Sequence, residues 1–225
     1  MQESPRARII AIDGPAASGK SVVGQRVAAI LGYRFYDTGA MYRALTWLAL
    51  ERRIDPHDAR ALAALAQGVR IEVDDVAEGD PEQRTRVRLD GVDATPHLRE
   101  ADVEANVSLV SRVPELRAVL VAVQRELASA GGVVMAGRDI GTVVLPDAHL
   151  KVYLDASERV RAQRRAAQRG KQGDAQELSD NIARRDALDS TRVTSPLTRA
   201  DDAVIIETDD LSVDQVVERI VELAR

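Results

Sequence analysis

The chain contains no cysteine, which excludes disulfides, thiolate nucleophiles and cysteine-based zinc sites. Histidine is scarce, and His57, His97 and His149 lie far apart without the spacing of metal ligands. Long apolar runs are missing too. The N-terminal run Ile9-Ile10-Ala11-Ile12 ends at Asp13, too short for a signal-peptide core or a membrane span, and the expectation is a cytoplasmic protein. Positive charge is not in excess: a formal net charge of -5 argues against a general nucleic-acid surface, which needs a positive field over the whole contact face. No Ser-, Gly- or Pro-rich linker, internal repeat or low-complexity tract divides the sequence.

What is present is the composition of one globular unit. Over 225 residues, 45% are hydrophobic and 30% charged, enough to bury a sizeable core and too apolar for a disordered chain. Four short apolar segments, Arg8 to Asp13, Gly132 to Ala136, Leu150 to Leu154 and Ala203 to Glu207, alternate with helical patterns and predict a parallel sheet covered by helices. Helices are expected over Lys20 to Leu31, Ala40 to Arg52, Arg112 to Ala130, Ser157 to Arg169, Ala175 to Leu188 and Val213 to Arg225. Ser212 with Gln215 supplies a capping box for the last of these. Between Val69 and Thr95 the pattern changes to strict alternation, with Asp90-Gly91 as a hairpin turn. This predicts a small antiparallel insert, either a carrier of substrate selectivity or a decorative hairpin.

Directly after the first strand stands Gly14-Pro15-Ala16-Ala17-Ser18-Gly19-Lys20-Ser21, a G-x-x-x-x-G-K-S motif. Its glycines let backbone N–H groups line a nest for phosphates, Lys20 reaches the β- and γ-phosphates, and the Ser21 hydroxyl suits Mg2+. A helix starting at the loop adds the positive end of its dipole. The chain is therefore expected to bind a nucleoside triphosphate.

Three further segments combine glycine, arginine and aspartate. Asp37-Thr38-Gly39-Ala40-Met41-Tyr42-Arg43 opens a helix, with Arg43 near its start, where a phosphate is favourably held. Gly137-Arg138-Asp139-Ile140-Gly141-Thr142 follows a buried strand, beyond the carboxyl ends of the strands where an open α/β sheet binds its ligands; Arg138 and Asp139 are either site residues or a structural ion pair. Arg185, Asp189 and Arg192 share one helix face at spacings of four and three, which describes convergence on a ligand or a surface ion-pair ladder. Arginines also crowd the region around Arg159, Arg161, Arg164, Arg165, Arg169, Lys171 and Arg184, suiting either a polyanion or a solvated helix face.

Taken in order, these motifs resemble the bacterial cytidylate kinases of the nucleoside monophosphate kinase group, through I-D-G-P-A-A-S-G-K-S at Ile12 to Ser21, D-T-G-A-M-Y-R at Asp37 to Arg43, G-R-D-I-G-T at Gly137 to Thr142 and R-D-A-L-D-S-T-R at Arg185 to Arg192. The resemblance implies an α/β, P-loop NTPase three-layer fold in a single domain, residues 1–225. An antiparallel monophosphate-binding insert would lie at about 58–110 and a helical lid at about 157–192. It implies that Gly14 to Val22 holds the ATP phosphates, that Lys20, Arg138 and Arg192 serve the transfer, and that Ser21 serves Mg2+. Arg43, Arg138 and Arg192 would grip the acceptor phosphate beside Thr38 and Tyr42. Arg185 and Asp189 would sit near the sugar, and Ser108, Arg117 and Asp139 would read cytosine.

The chemistry agrees with that resemblance. Phosphoryl transfer between two anions rests on positioning and charge neutralisation, which arginines and Mg2+ supply. Cytosine's exocyclic amine suits a carboxylate, whereas uracil would face it with a carbonyl at a cost of about 1 to 3 kcal/mol. The expected reaction is γ-phosphate transfer from ATP to CMP or dCMP by a monomer needing neither nucleic acid nor membrane. The alternatives are a kinase for another monophosphate, or an ATP- or GTP-hydrolysing switch. The sequence has no guanine-recognition N-K-x-D motif, and a switch leaves the arginine segments without a purpose.

Overall fold

The computed structural model describes residues 8–76, 85–168, 183–184, 186–192 and 194–225. Its centre is β1 (Ile9–Asp13), flanked in parallel by β6 (Val133–Gly137) and β7 (Leu150–Asp155). Beyond these lie β2 (Arg34–Asp37) on β6 and β8 (Val204–Glu207) on β7. In chain order the five core strands run 2-3-1-4-5 across the sheet. Both faces of the central strands are covered, which is why Ile-Ile-Ala-Ile and Val-Val-Met-Ala read as continuous apolar runs rather than alternating ones.

Successive residues of β1 serve opposite faces. Ile10 and Ile12 pack under α1 (Lys20–Leu31) and the last helix, α7 (Val213–Leu223), with Val23, Val27, Val217 and Ile220. Ala11 faces α2 (Thr38–Glu51) and α5 (Pro114–Ala128), with Met41, Leu45, Leu116 and Leu120. The result is a three-layer α/β domain of the P-loop NTPase fold. Truncating a fully buried residue such as Ile12 or Leu116 to alanine costs about 2 to 5 kcal/mol in settings of this kind.

The capping box of α7 forms: Ser212 Oγ accepts from Gln215 N at 3.2 Å and Gln215 Oε1 accepts from Ser212 N at 2.8 Å. Helix α2 begins two residues earlier than its sequence suggests, because Asp37 caps it with Oδ1 on Gly39 N. Three elements escape the sequence reading. Helix α3 (Ala59–Gly68) starts at Asp58, whose side chain accepts from Ala61 N. Helix α4 (Ala101–Val110) has no side-chain cap, and β2 is only four residues long. The expected helix from Ala175 to Leu188 falls largely outside the described residues; residues 186–190 are helical.

The antiparallel insert is present. Strands β3 (Ile71–Asp75) and β4 (Thr85–Leu89) pair, and β4 turns through Asp90-Gly91 into β5 (Val92–Asp93). Its side chains cover the open edge of β2: Asp75 Oδ2 accepts from Phe35 N at 3.1 Å and Thr85 Oγ1 from Asp37 N at 2.9 Å. This satisfies backbone donors that an edge strand otherwise leaves open to pairing with another chain.

Candidate active site

The carboxyl ends of β1, β2 and β6 open into a cleft of about 260 Å3, walled by the P-loop, α2, α4 and α5, where a parallel sheet places its ligands. The loop leaves β1 at Gly14 with φ of 150°, and a Cβ there would stand 2.2 Å from the Leu154 carbonyl oxygen. Only glycine lets the chain pass so close to β7. Lys20 Nζ donates to Pro15 O at 2.6 Å and to Ser18 Oγ at 3.3 Å. Burial lowers the Lys20 pKa well below that of an ordinary lysine and Arg138 adds to this, while Asp37, Asp13 and Asp186 oppose it. The peptide groups of Ala16 are held from the arginine-rich segment. Asp186 Oδ1 accepts from Ala16 N at 3.1 Å, Arg161 Nη1 donates to Ala16 O at 3.2 Å, and the two side chains form an ion pair.

Asp37, at the end of β2, links two elements: Oδ1 caps α2 and Oδ2 accepts from Ser21 Oγ at 2.8 Å. Thr38 Oγ1 donates to Ala136 O at 2.9 Å, fixing α2 to β6. Arg43 folds back over the start of its own helix, and a Cβ on Gly39 would stand 3.0 Å from Arg43 Nη1. Burial lowers the Arg43 pKa, against the pull of Asp37 and Glu104.

Arg138 and Asp139 leave the end of β6 in different directions. Arg138 donates from Nε to Asp189 Oδ2 at 2.9 Å and from Nη1 to Gly14 O at 2.9 Å. Burial works against its charge, but Asp189, Asp186 and Asp37 together outweigh this and its pKa rises. Arg192 pairs with the other Asp189 oxygen and donates to Ser111 Oγ at 2.8 Å; burial lowers its pKa. Asp139 forms a buried ion pair with Arg117. The Arg117 guanidinium also donates to Ser111 O at 3.3 Å and lies 5.1 Å over the Tyr42 ring, a cation–π distance. Burial pushes the Tyr42 phenol up to about 12.

Of the substrate-contacting residues expected from the sequence, all but one line this cleft, Ser108 on α4 included. The exception, Arg185, lies outside the described residues, as do Arg169 and Lys171. Within the P-loop, Gly14, Pro15 and Ser18 build the turn and offer oxygens to Arg138 and Lys20 rather than lining the cleft. Arg164 donates to Ser18 O at 3.4 Å and Arg165 pairs with Glu104 of α4, so α6 (Glu158–Gln168) reaches both the P-loop and the insert side.

Sequence reasoning missed Asp13, Asp37, Ser111 and Asp186. The signal for Asp13 was a lone carboxylate ending a fully buried strand. For Asp37 it was an acid directly before Thr-Gly at a helix start. Ser111 carries no signal, since only the fold brings Arg117 and Arg192 to it.

The Ser21 hydroxyl and Asp37 carboxylate meet 2.8 Å apart, a pair of hard oxygen donors beside the P-loop. Among the described residues no group of three or more His, Cys, Asp or Glu side chains could hold a metal by itself. This donor set fits Mg2+, which is held by one or two protein oxygens together with substrate phosphates.

A glycine-turned loop heading α1, on a parallel sheet ordered 2-3-1-4-5 and facing buried arginines, defines a P-loop phosphotransferase. The cytidylate kinase family model matches residues 10–225. The cytidylate kinase of Geobacillus kaustophilus (strain HTA426) is 50% identical over 217 residues, covering 95% of each chain. That of Geobacillus sp. (strain WCH70) is 48% identical over 217 residues with the same coverage. The chain belongs to the cytidylate kinase family. A crystal structure of an uncharacterized protein from Eubacterium ventriosum ATCC 27560 shares the fold, with TM-score 0.54 and 14% identity over 97% of this chain and 98% of that one. Among the described residues no helix is long and apolar enough to cross a membrane.

Proposed function

We propose that this protein transfers the γ-phosphate of ATP to CMP or dCMP by direct in-line displacement, giving CDP or dCDP and ADP. The observation that carries the reading is the buried Arg117–Asp139 pair in the same cleft as Lys20 and Arg138. A base-reading carboxylate thus stands next in sequence to a phosphate-binding arginine. The curated relatives named cytidylate kinase support the choice of acceptor.

In this reading Gly14 to Val22 cradle the triphosphate and Lys20 follows the γ-phosphate. Arg43, Arg138 and Arg192 draw the acceptor phosphate toward it beside Thr38 and Tyr42, offsetting the repulsion between two anions. Asp139 accepts from cytosine's exocyclic amine, Arg117 and Ser108 serve the remaining edge, and Asp189 serves the sugar with Arg185. Ser21 and Asp37 would hold Mg2+, which neutralises triphosphate charge when bound. Residues 58–110 act as the monophosphate-binding insert. Residues 157–192 act as a lid that closes over both nucleotides and excludes water. The protein works as a cytoplasmic monomer without nucleic acid or membrane.

A coupled assay with Mg-ATP and CMP, dCMP, UMP, AMP or GMP as acceptor tests the reading. CMP and dCMP are expected to give the highest kcat/KM. A clear preference for AMP or UMP overturns the assignment of Asp139 and Arg117, and rapid phosphate release without an acceptor overturns the kinase reading itself.

A further inference from the structure

Asp13 takes no part in the roles just described. It ends β1 immediately before Gly14, stands in register with Gly137 of β6 and Tyr153 of β7, and is 5% exposed. It lies behind the cleft wall rather than in it. Its Oδ1 accepts from Ile140 N at 2.8 Å and its Oδ2 from Gly141 N at 2.7 Å. Both carboxylate oxygens are therefore spent on consecutive amides of the segment that carries Arg138 and Asp139. A second link closes the circuit in the opposite direction: Arg138 Nη1 donates to Gly14 O at 2.9 Å.

We infer that Asp13 is a positioning residue that locks the Arg138-Asp139 segment to the root of the P-loop, so that acceptor grip and donor cradle are held in one frame. The inference rests on the reading of Arg138 and Asp139 as the acceptor-phosphate and cytosine groups. A carboxylate suits the task because it accepts from two N–H groups at once, and charge-assisted bonds of this kind are stronger than neutral ones. It also has no donor to clash with either amide. Arg125 of α5 holds the far end of the Ile140–Val144 turn through Val143 O at 2.8 Å and Val144 O at 2.9 Å, whereas the two amides directly after Asp139 are held by Asp13. Reacting groups tolerate little misplacement, and a displacement on the order of 1 Å costs about 100-fold in rate.

The test is Asp13→Asn in the full chain. Asparagine keeps the size, but its amide offers one acceptor and sets an N–H against the second amide. Stability by thermal melt should stay close to wild type at neutral pH, because losing one amide bond is offset by removing a charge that burial disfavours. The expected kinetic result is a fall of about tenfold or more in kcat/KM for CMP, a narrowed CMP-over-UMP ratio, and a KM for ATP changed by less than about threefold. A general loss of packing would not produce that split. A folded Asp13→Asn protein with wild-type kcat/KM and an unchanged CMP-over-UMP ratio overturns the proposal.

Amide hydrogen exchange on the unmodified protein gives an independent reading should the variant not fold. The Ile140 and Gly141 amides should exchange at least about 100-fold more slowly than free peptide, and free exchange at either one overturns the clamp. If wild type itself fails to phosphorylate CMP, the functional reading has failed, while the exchange measurement still decides whether the clamp exists.

Discussion

Arg138 Nε donates to Asp189 Oδ2 at 2.9 Å, joining the end of β6 to the helical residues 186–190, while Arg192 takes the other oxygen of the same carboxylate. Asp189 is 3% exposed and stands between two guanidinium groups. Removing it leaves the buried Arg192 and the part-buried Arg138 without the carboxylate between them. Asp189→Ala should therefore destabilise the protein by about 3 to 5 kcal/mol, the range for breaking a buried pair by removing one partner. Chemical denaturation checks this, and an unchanged midpoint would show that water or other groups compensate.

Lys20→Ala should lower kcat by about 100- to 1000-fold, as loss of a group that meets developing charge does elsewhere, while leaving the melting curve near wild type. Arg43→Ala, one turn into α2, should raise KM for CMP and lower kcat together. Steady-state kinetics on both proteins separate donor handling from acceptor handling, and unaltered rates in both would remove the site from this cleft.

Asp139→Asn addresses the base. The change replaces an acceptor with a group that both donates and accepts, so uracil's carbonyl gains a partner that cytosine's amine loses. The CMP-over-UMP ratio of kcat/KM should fall by about 10- to 100-fold, in keeping with about 1 to 3 kcal/mol for an unpaired buried polar group. Equal losses for both substrates would assign Asp139 to holding Arg117 alone.

Asp13 gives the clearest dependence on pH. Burial raises its pKa from 3.8 to about 6, with Asp139 adding to the rise and the Ile140 and Gly141 amides and Lys20 opposing it. The folded protein thus binds the Asp13 proton more tightly than the unfolded chain. The stabilisation is full below pH 4 and is lost as pH rises toward about 6. Relative to Asp13→Asn, the wild type should lose about 3 kcal/mol of stability across that window. Denaturation midpoints of both proteins at intervals from pH 4 to 7 check the sign, and a gap that widens in favour of wild type as pH rises would contradict it.

Ser21→Ala tests the metal side. Loss of the hydroxyl that meets Asp37 at 2.8 Å should raise the Mg2+ concentration needed for half-maximal turnover by about tenfold. Chelation should abolish turnover in wild type, whereas indifference of both proteins to Mg2+ would exclude Ser21 and Asp37 as its holders.

Much of the fold was legible because its elements announce themselves locally. The apolar runs of β1, β6 and β7, the capping box of α7 and the Asp90-Gly91 turn all lie where the sequence puts them. Helix α3 was missed although Asp58 precedes Leu62, Leu65 and Ala66 at helical spacing; both its cap and its apolar stripe stand in the sequence. Helix α4 has an almost evenly spread apolar pattern and no side-chain cap, and β2 is too short for periodicity to show.

The sequence by itself determined the P-loop, the capping box of the last helix and the family, because each depends on residues adjacent in the chain or at helical spacing, where backbone geometry sets the neighbours. It could place Arg117, Asp139 and Arg192 as candidates without saying that Ser111 joins two of them, or that Asp189 divides its oxygens between Arg138 and Arg192. Only the tertiary structure decided that Asp13 would reach amides 127 and 128 residues away. Such contacts arise from the parallel pairing of β1 with β6, and no spacing within either segment records which strand will lie beside it.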